Sequence, residues 1–253
     1  MIKLTIGYST LANRVGNIQL PELRADREIL VIIQGENQQP LPKHLERSDV
    51  RVIHLNSYGV AKSRNEALRS ARGEYLIFAD DDIKFFEDGL TKAIAHLDAA
   101  PKVAFLLGAA VDDSGSLRKV YPTAVTKLHK LNSAKAATYE MIVRVAASRE
   151  ANVWFDEDFG AGAVNYLGDE YIFIADLLTK NLQCEFAPIV LAHHPTDSSG
   201  SAWGTKRDVI ARSKIFTRVF GEPVATVVRI AFGLKHATRI GSLPLIIRFI
   251  FGK

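Results

Sequence analysis

Three consecutive acids, Asp80, Asp81 and Asp82, follow an apolar run that predicts a buried strand from Tyr75 to Ala79. Carboxylates this close repel each other unless solvent or a cation offsets their charge. Hard cations such as Mg²⁺ and Mn²⁺ prefer oxygen ligands, commonly one or two carboxylates with phosphate oxygens and water. Alternation along a strand would direct Asp80 and Asp82 to one face and Asp81 to the other. The stretch therefore indicates an Asp-X-Asp metal site, with a solvated or helix-capping cluster as the alternative.

The helix predicted just before these acids carries polar residues on its inner face. In "GVAKSRNEALRSARG", Arg64 and Asn65 share that face with Leu68, since positions three and four apart stack on one side of a helix. An inward-facing arginine needs a carboxylate or phosphate partner. Arg64 is thus either the partner of an acid in a structural ion pair or a phosphate ligand.

A second acidic feature opens the predicted helix "GDEYIFIADLLTKN". Asp169 and Glu170 lie in its first turn, where the positive end of the helix dipole favours ionised carboxylates. Glu170 shares a face with Ile174 and should point towards the sheet. The strand that follows ends in His193 and His194, which could bind metal, cap a helix or do neither.

Strand-like and helical runs alternate over the first hundred residues, which predicts an α/β fold with a mostly parallel central sheet flanked by helices. In such sheets, ligands bind beyond the carboxyl ends of the strands, where the acids lie. The run "TYEMIVRVA" is a further predicted strand, and "NVWFDEDFGAGAVNYLGDE" is a predicted loop. The predicted strands are "IKLTIGY", "EILVIIQ", "VRVIHL", the run ending in the acids, "VAFLLGAAV" and "FAPIVLAHH"; helices are predicted from about 60 to 71, 89 to 99 and 169 to 181.

The 253 residues suffice for one sizeable core with an appendage. The single cysteine, Cys184, excludes an internal disulfide and fits a reducing compartment. The start lacks the features of a secretory signal, and no uncharged apolar run approaches the roughly 20 residues that span a bilayer. We therefore expect a cytoplasmic protein, or one that is peripheral on the inner face of the cytoplasmic membrane.

The net charge of +4 conceals an asymmetry, because residues 206–253 contain ten Lys or Arg and only two Asp or Glu. The same segment is rich in aliphatic and aromatic residues, so it is predicted to form a helical C-terminal extension (206–253) after a catalytic domain (1–205). Its helices could lie on an anionic membrane surface, or pack on the domain with their charged faces in water. A nucleic-acid partner is not expected, because the basic residues accompany no recognition motif or stacking platform.

Five segments in this order, "GVAKSRNEAL", "GEYLIFADDDIKF", "FDEDFGAG", "GDEYIFIADLL" and "PIVLAHH", resemble the family 2 glycosyltransferases of the GT-A fold, particularly bacterial enzymes of surface-polysaccharide assembly. The resemblance covers residues 1 to 200. It implies a Rossmann-like GT-A domain, a nucleotide-diphosphate sugar donor with a UDP-sugar first among them, bound Mn²⁺ or Mg²⁺, and inversion at the anomeric carbon. The acceptor would be a hydroxyl of a glycan or of a lipid-linked glycan.

Roles for individual residues also follow from the resemblance. Asp82 would bind the metal, with Asp80 helping to hold the metal or the ribose, and His194 would complete the metal site with His193 as the alternative. Glu170 would be the general base, with Asp169 in reserve. Apart from the resemblance, the irregular middle of the chain is expected to line the acceptor pocket, with contacts from Trp154, Asp156 and Glu157. The implied nucleotide-sugar-binding residues are Thr10, Gln34, Lys62, Arg64, Asn65, Asp80 and Asp81.

Two positions depart from the family pattern. Gln34 stands where many relatives have acids that contact the nucleotide base, which leaves the base preference open, although a glutamine can both donate to and accept from a base edge. Glu170 stands where the base is more often Asp, which lengthens the reach by one methylene.

Two other classes of function remain alternatives. A sugar nucleotidyltransferase-like enzyme would use a Gly-rich basic loop after the first strand, and "GYSTLANRVGNI" matches that loop poorly. A non-catalytic protein that binds a membrane surface through its basic tail would retain the acids only as structural pairs.

Overall fold

A computed structural model describes residues 1–36, 40–195 and 203–252. Within these ranges, one sheet contains nine strands: β1 (Leu4–Leu11), β2 (Arg27–Gln34), β3 (Val50–Leu55), β4 (Tyr75–Asp80), β5 (Lys84–Phe85), β6 (Val103–Val111), β7 (Thr126–Lys127), β8 (Met141–Arg144) and β9 (Gln183–His193). The helices are α1 (Val60–Ser70), α2 (Glu87–Ala99), α3 (Val145–Glu150), α4 (Asp169–Thr179), α5 (Lys206–Phe220), α6 (Val224–Lys235), α7 (Ala237–Ile240) and α8 (Leu243–Phe251).

The strand order is β3-β2-β1-β4-β8-β6-β9-β5, with β7 paired to β9. The pairs among β3, β2, β1 and β4 are parallel, as is the pair of β6 with β9. Strand β8 is antiparallel to both β4 and β6, so β6 and β9 run in the same direction as β4. The predicted α/β architecture is therefore confirmed, and the carboxyl ends of β1, β2, β4 and β9 lie at one edge of the sheet.

Helices cover both faces of the sheet because its strands are apolar on both sides. One core lies under α2, and the other lies under α1 and α4. The first contains Ile6, Tyr8, Ile77, Leu90 and Leu97, and the second contains Leu30, Leu68, Phe78, Phe173 and Ile174.

The strand predicted for residues 138–146 is wrong at both ends. Thr138–Glu140 form a 3-10 turn, β8 covers only Met141–Arg144, and a helix follows at once. The Glu140 carboxylate accepts hydrogen bonds from the backbone N–H of Ala137 (3.0 Å) and from the hydroxyl of Tyr121 (2.6 Å), so it stabilises the turn. The turn brings Thr138 and Tyr139 to the carboxyl edge of the sheet.

The segment after residue 205 is helical, as predicted. Helix α5 packs on α4 through Ile215 and Val219, which join an apolar cluster with Tyr171 and Ile172. Helices α6 to α8 pack in turn on α5 around Phe216 and on one another. Among the described helices, none is both long and apolar enough to cross a membrane.

Candidate active site

Residues from three parallel strands meet at the carboxyl edge of the sheet. Strand register places Ser9 beside Asp80, and the next positions of β1 place Thr10 beside Ile33 and Leu11 beside Gln34. The buried hydroxyl of Thr10 donates to Oδ2 of Asp81 (2.7 Å), which fixes the middle acid of the cluster.

The expected alternation of the three acids does not hold, because β4 ends at Asp80 and the next two residues form a turn. Arg14, in the loop after β1, contacts the carboxylate of Asp81 and lies 3.7 Å from that of Asp82. Asp80 instead pairs with Arg64 of α1 at 3.4 Å. Asp80 therefore lies near Arg64, whereas Asp81 and Asp82 both lie near Arg14.

Arg64 joins the two acidic features of the sequence. Its buried guanidinium contacts Asp169 directly and lies 3.5 Å from Glu170 and 3.4 Å from Asp80. One arginine thus faces three carboxylates, and its Nε has no partner among the described residues. Because the three carboxylates outnumber the one arginine, this buried cluster favours either a proton on one carboxylate or a cation nearby.

The two acids at the start of α4 differ in their surroundings. Burial, together with the charge of Glu170, raises the pKa of Asp169 to about 8. Burial acts in the same direction on Glu170, but the charge of Arg64 and the hydrogen bond from Thr138 (2.8 Å) prevail and lower its pKa. The side chain of Glu170 is 23% exposed, whereas that of Asp169 is 4% exposed. Glu170 is therefore the acid that is ionised and open to a ligand.

The two histidines at the end of β9 point to different partners. His194 is buried against the ring of Tyr139 (4.7 Å between ring centroids), and its Nδ1 lies 2.5 Å from the carbonyl oxygen of Pro195. A carbonyl only accepts, so Nδ1 carries the proton and Nε2 keeps its lone pair. Nε2 of His193 instead lies 3.0 Å from Oδ1 of Asp113. In the neutral imidazole, each histidine therefore keeps one ring nitrogen free for a ligand, Nε2 in His194 and Nδ1 in His193.

The carboxylates at the edge suit a divalent cation. No group of three or more His, Cys, Asp or Glu side chains in the described ranges is arranged to hold a metal. Mg²⁺, however, commonly takes only one or two carboxylates and completes its shell with substrate phosphates and water. Asp80 and Asp82 are both partly exposed, and burial and the neighbouring acids raise the pKa of Asp80 against the opposing effect of Arg64. Asp80 and Asp82 therefore supply carboxylate oxygens of the type that such a cation prefers, and the remaining ligands would come from phosphate and water.

Two residues of the implied nucleotide-sugar-binding set hold the edge together. The Oε1 atom of Gln34 accepts from the backbone N–H of Gly59 (2.9 Å), which fixes the start of α1. The amide of Asn65 donates to the carbonyl of Phe155 and to Glu157 (both 3.0 Å) and accepts from the N–H of Phe155 (2.8 Å). Asn65 thus ties α1 to the loop at residues 155–157.

The residues expected to contact the acceptor are engaged in contacts within the chain. Trp154 packs against Arg69 in the last turn of α1 and donates to Asn152 (2.7 Å), and none of its contacts reaches Glu170. Asp156 pairs with Arg218 of α5 (2.7 Å). Glu157 accepts from Asn65, as described above. Lys62, in the first turn of α1, is half-buried.

The loop before α4 fits closely over the start of α1. The carbonyl of Ala161 accepts from the N–H of Val60 (2.9 Å). Gly160 has φ +97°, and a Cβ there would lie 2.8 Å from the carboxylate of Asp169 and 2.9 Å from Val60. This glycine therefore allows the loop to close over the Asp169 carboxylate.

A cavity of 420 Å³ lies at the opposite, amino edge of the sheet. Each of its four arginines has an acid nearby: Arg24 pairs with Asp26 (3.0 Å), Arg27 with Glu87 (2.6 Å) and Arg51 with Glu28 (2.8 Å), and Arg72 lies 3.8 Å from Glu28. The cavity is far from the acidic cluster and offers no comparable unbalanced charge.

Three residues at the site escaped the sequence analysis. Arg14 lies in an irregular loop with no motif, and Thr138 and Tyr139 lay inside a segment predicted as strand. The 3-10 turn at Thr138–Glu140 places Thr138 and Tyr139 before β8, whereas no local motif identifies Arg14.

Comparisons with known proteins identify the relatives of this arrangement. Residues 20–150, about half of the 253-residue chain, match Glycosyl transferase family 2. The poly(ribitol-phosphate) beta-N-acetylglucosaminyltransferase TarS of Staphylococcus aureus is 26% identical over 143 residues, which are 53% of this chain and 25% of TarS. The chain thus spans about a quarter of that curated relative.

Solved structures share the fold at lower identity. S. aureus TarS 1–349 in complex with UDP-GlcNAc superposes with a TM-score of 0.64 and 16% identity over 94% of this chain and 73% of that one. The mannosyltransferase PcManGT of Pyrobaculum calidifontis, in complex with GDP-Man and Mn²⁺, superposes with a TM-score of 0.58 and 15% identity. The match covers 99% of this chain and 79% of that one. The fold is therefore GT-A, as the sequence predicts, and the chain belongs to glycosyl transferase family 2.

Proposed function

We propose that this protein transfers a sugar, with inversion, from a nucleoside-diphosphate donor to a hydroxyl of a glycan or lipid-linked glycan. The observation that carries the proposal is the convergence of Asp80, Asp169 and Glu170 on the buried Arg64 at the carboxyl edge of the sheet. In open α/β sheets this edge is where ligands bind. Membership of family 2 supports the same reaction class.

Glu170 is the proposed general base. It is ionised, partly exposed and oriented by the hydrogen bond from Thr138. An acceptor hydroxyl within hydrogen-bond reach would give its proton to Glu170 while its oxygen forms the new bond to the anomeric carbon. The bond from that carbon to the diphosphate breaks in the same displacement, and the nucleoside diphosphate leaves with the electron pair. Asp169, buried against Arg64, holds Arg64 and Glu170 in place.

The donor would lie between Thr10, Gln34 and the acidic cluster. Asp82 and Asp80, with His194 as a further ligand, would hold Mn²⁺ or Mg²⁺. When bound, the cation neutralises the charge that develops on the departing diphosphate. A UDP-sugar is the first donor to test, because solved TarS complexes contain UDP and UDP-GlcNAc, and a GDP-sugar is the second, because PcManGT is solved with GDP-Man.

The test is substitution of the proposed base. Glu170→Gln keeps the shape and the Thr138 contact but cannot accept a proton, so turnover should fall by about a hundredfold or more while donor binding is kept. Glu150→Gln, at an exposed position on α3, is the matched control. Turnover is followed as released nucleoside diphosphate, and donor binding is measured by calorimetry.

Two results would count against the proposal. Normal turnover by Glu170→Gln would show that Glu170 is not the base, and Asp169→Asn would then be tested. Release of pyrophosphate in place of nucleoside diphosphate would indicate nucleotidyl transfer.

A further inference from the structure

Helices α6 and α8 present apolar side chains on the face that points away from the protein. On α6, Ala225, Arg229 and Gly233 are buried, so the opposite side of the helix is the outer one. The large side chains on that outer side are Val227, Ile230 and Leu234, of which Leu234 is 69% exposed. Positions three and four apart lie on one helix face, so these three form a continuous apolar stripe.

Helix α8 repeats this arrangement. Its buried residue, Phe249, contacts α6 at Gly233 and α5 at Phe216. The outer side carries Leu243, Ile247 and Phe251, spaced by four residues, and Phe251 is 62% exposed. The inner faces of both helices are thus buried by packing, while their outer faces expose large apolar side chains to solvent.

We infer that the outer apolar faces of α6 and α8 form a surface that docks on an anionic lipid bilayer. The first argument is charge, because residues 206–253 carry ten Lys or Arg against two Asp or Glu. Lys235, exposed at the end of α6, directly follows Leu234 of the apolar stripe, and Arg239 is exposed in α7. Basic residues at the border of an apolar helix face match the anionic headgroups and the acyl boundary of a membrane.

The second argument is shape. Helix α6 has 12 residues and α8 has 9, or about 18 Å and 14 Å of length, against a hydrocarbon core of about 30 Å. Helices too short to span the bilayer but apolar along one exposed face can insert that face into the interface and lie parallel to the membrane. A second copy of this chain would cover apolar stripes equally well, but like charges such as the exposed Lys235 and Arg239 disfavour contact between two copies of the same surface.

The docking surface is connected to the candidate active site through α5. Ile215 of α5 packs where a Cβ on Gly168 would be, directly before Asp169 and Glu170. The membrane would therefore hold the acidic edge at a fixed orientation. Docking does not require the proposed transfer reaction, and the experiment below does not measure it.

The experiment is flotation of the full chain with vesicles. Vesicles in which about a third of the lipid is anionic phosphatidylglycerol should carry the protein upward, and vesicles of pure phosphatidylcholine should not. The double variant Leu234→Gln/Phe251→Gln should lower the bound fraction about tenfold or more. The control, Val120→Gln/Leu131→Gln, makes the same change at exposed apolar positions outside the extension and should bind as the native chain does.

A second variant does not depend on the apolar positions. Lys235→Gln should weaken binding to the anionic vesicles about fivefold. Unchanged flotation of both Leu234→Gln/Phe251→Gln and Lys235→Gln would overturn the proposal, as would failure of the native chain to float. Light scattering completes the test: a native dimer that Leu234→Gln/Phe251→Gln dissociates, without vesicle binding, would assign the surface to self-association.

Discussion

The guanidinium of Arg64 contacts the carboxylate of Asp169, which lies 105 residues further along the chain. This contact connects α1, which precedes the acid cluster, with the first turn of α4. Both groups are buried, and Asp80 and Glu170 lie near the same guanidinium. One buried guanidinium therefore faces three carboxyl groups.

Loss of Arg64 should destabilise the protein strongly. Arg64→Met removes the cation that faces the ionised Glu170 and the hydrogen-bond donor to the buried Asp169, so the free energy of unfolding should fall by about 3 kcal/mol. Arg69→Met, one and a half turns later on α1, removes an exposed pair with Glu66 and the contact with the Trp154 ring, and should cost about 1 kcal/mol or less. Urea unfolding of the two variants measures the difference, and equal losses would show that the buried cluster does not depend on Arg64.

Stability should fall as pH rises towards 8. The folded chain keeps the proton of Asp169 up to a pKa of about 8, whereas an unfolded Asp releases it near 3.8. Between these values the folded state binds more protons than the unfolded state, so the free energy of unfolding decreases with pH. Glu170 acts in the opposite direction, because its lowered pKa contributes stability that is lost as pH falls below its ordinary 4.5.

The variant that isolates this effect is Asp169→Asn, which cannot titrate. It should flatten the decrease of unfolding free energy between pH 4 and pH 8, measured by urea unfolding at a series of pH values. Asp176→Asn, on the same helix but paired with Arg218 at the surface, should leave the slope in place. A slope that survives in Asp169→Asn would place the titrating proton elsewhere.

Removal of divalent cations should abolish transfer, and Mn²⁺ or Mg²⁺ should restore it. Asp82→Asn removes one proposed ligand, so turnover at a fixed Mn²⁺ concentration should fall by about a hundredfold. Asp88→Asn, at an exposed position in the first turn of α2, is the control. Mn²⁺ titrations in the presence of nucleoside diphosphate provide a readout apart from activity. Full activity in chelator would contradict the proposed metal.

Gly168 should not tolerate a side chain. Its φ is +98°, and an added Cβ would lie 2.3 Å from Cδ1 of Ile215. Gly168→Ala should therefore cost about 2–4 kcal/mol, from overpacking and from the left-handed backbone. Adding Ile215→Ala should recover the overpacking cost, leaving about 1–2 kcal/mol of backbone strain in a double-mutant cycle of thermal unfolding. No coupling between the two substitutions would show that α5 does not press on the start of α4.

The regular elements were accessible from sequence because their patterns are local. The predicted strands and helices of the first hundred residues appear within a few positions of their predicted ends, and α4 begins at Asp169 as expected. The strand prediction for residues 138–146 failed because the turn there depends on Glu140, whose partners include Lys119 and Tyr121. Apolar alternation carries no information about such a partner.

Sequence-based prediction has a similar limit in the C-terminal extension. Its sequence predicts helices that are both basic and apolar, with membrane contact and packing on the domain as alternatives. The structure contains packed helices, but their outer faces at Leu234 and Phe251 are apolar rather than charged. Which face of a helix is covered depends on its neighbours, and composition alone leaves that open.

The sequence by itself determined that acids follow a buried strand, that an arginine lies on the inner face of a helix, and that parallel strands bring such residues to one edge. These follow from the periodicities of strand and helix, which act over a few residues. Only the tertiary structure decided that Arg64 faces Asp169 and Glu170. It also decided that Arg14 lies near Asp81 and Asp82, and that Thr138 donates a hydrogen bond to Glu170. Those pairs join residues distant along the chain, so their distances are set by the packing of whole elements.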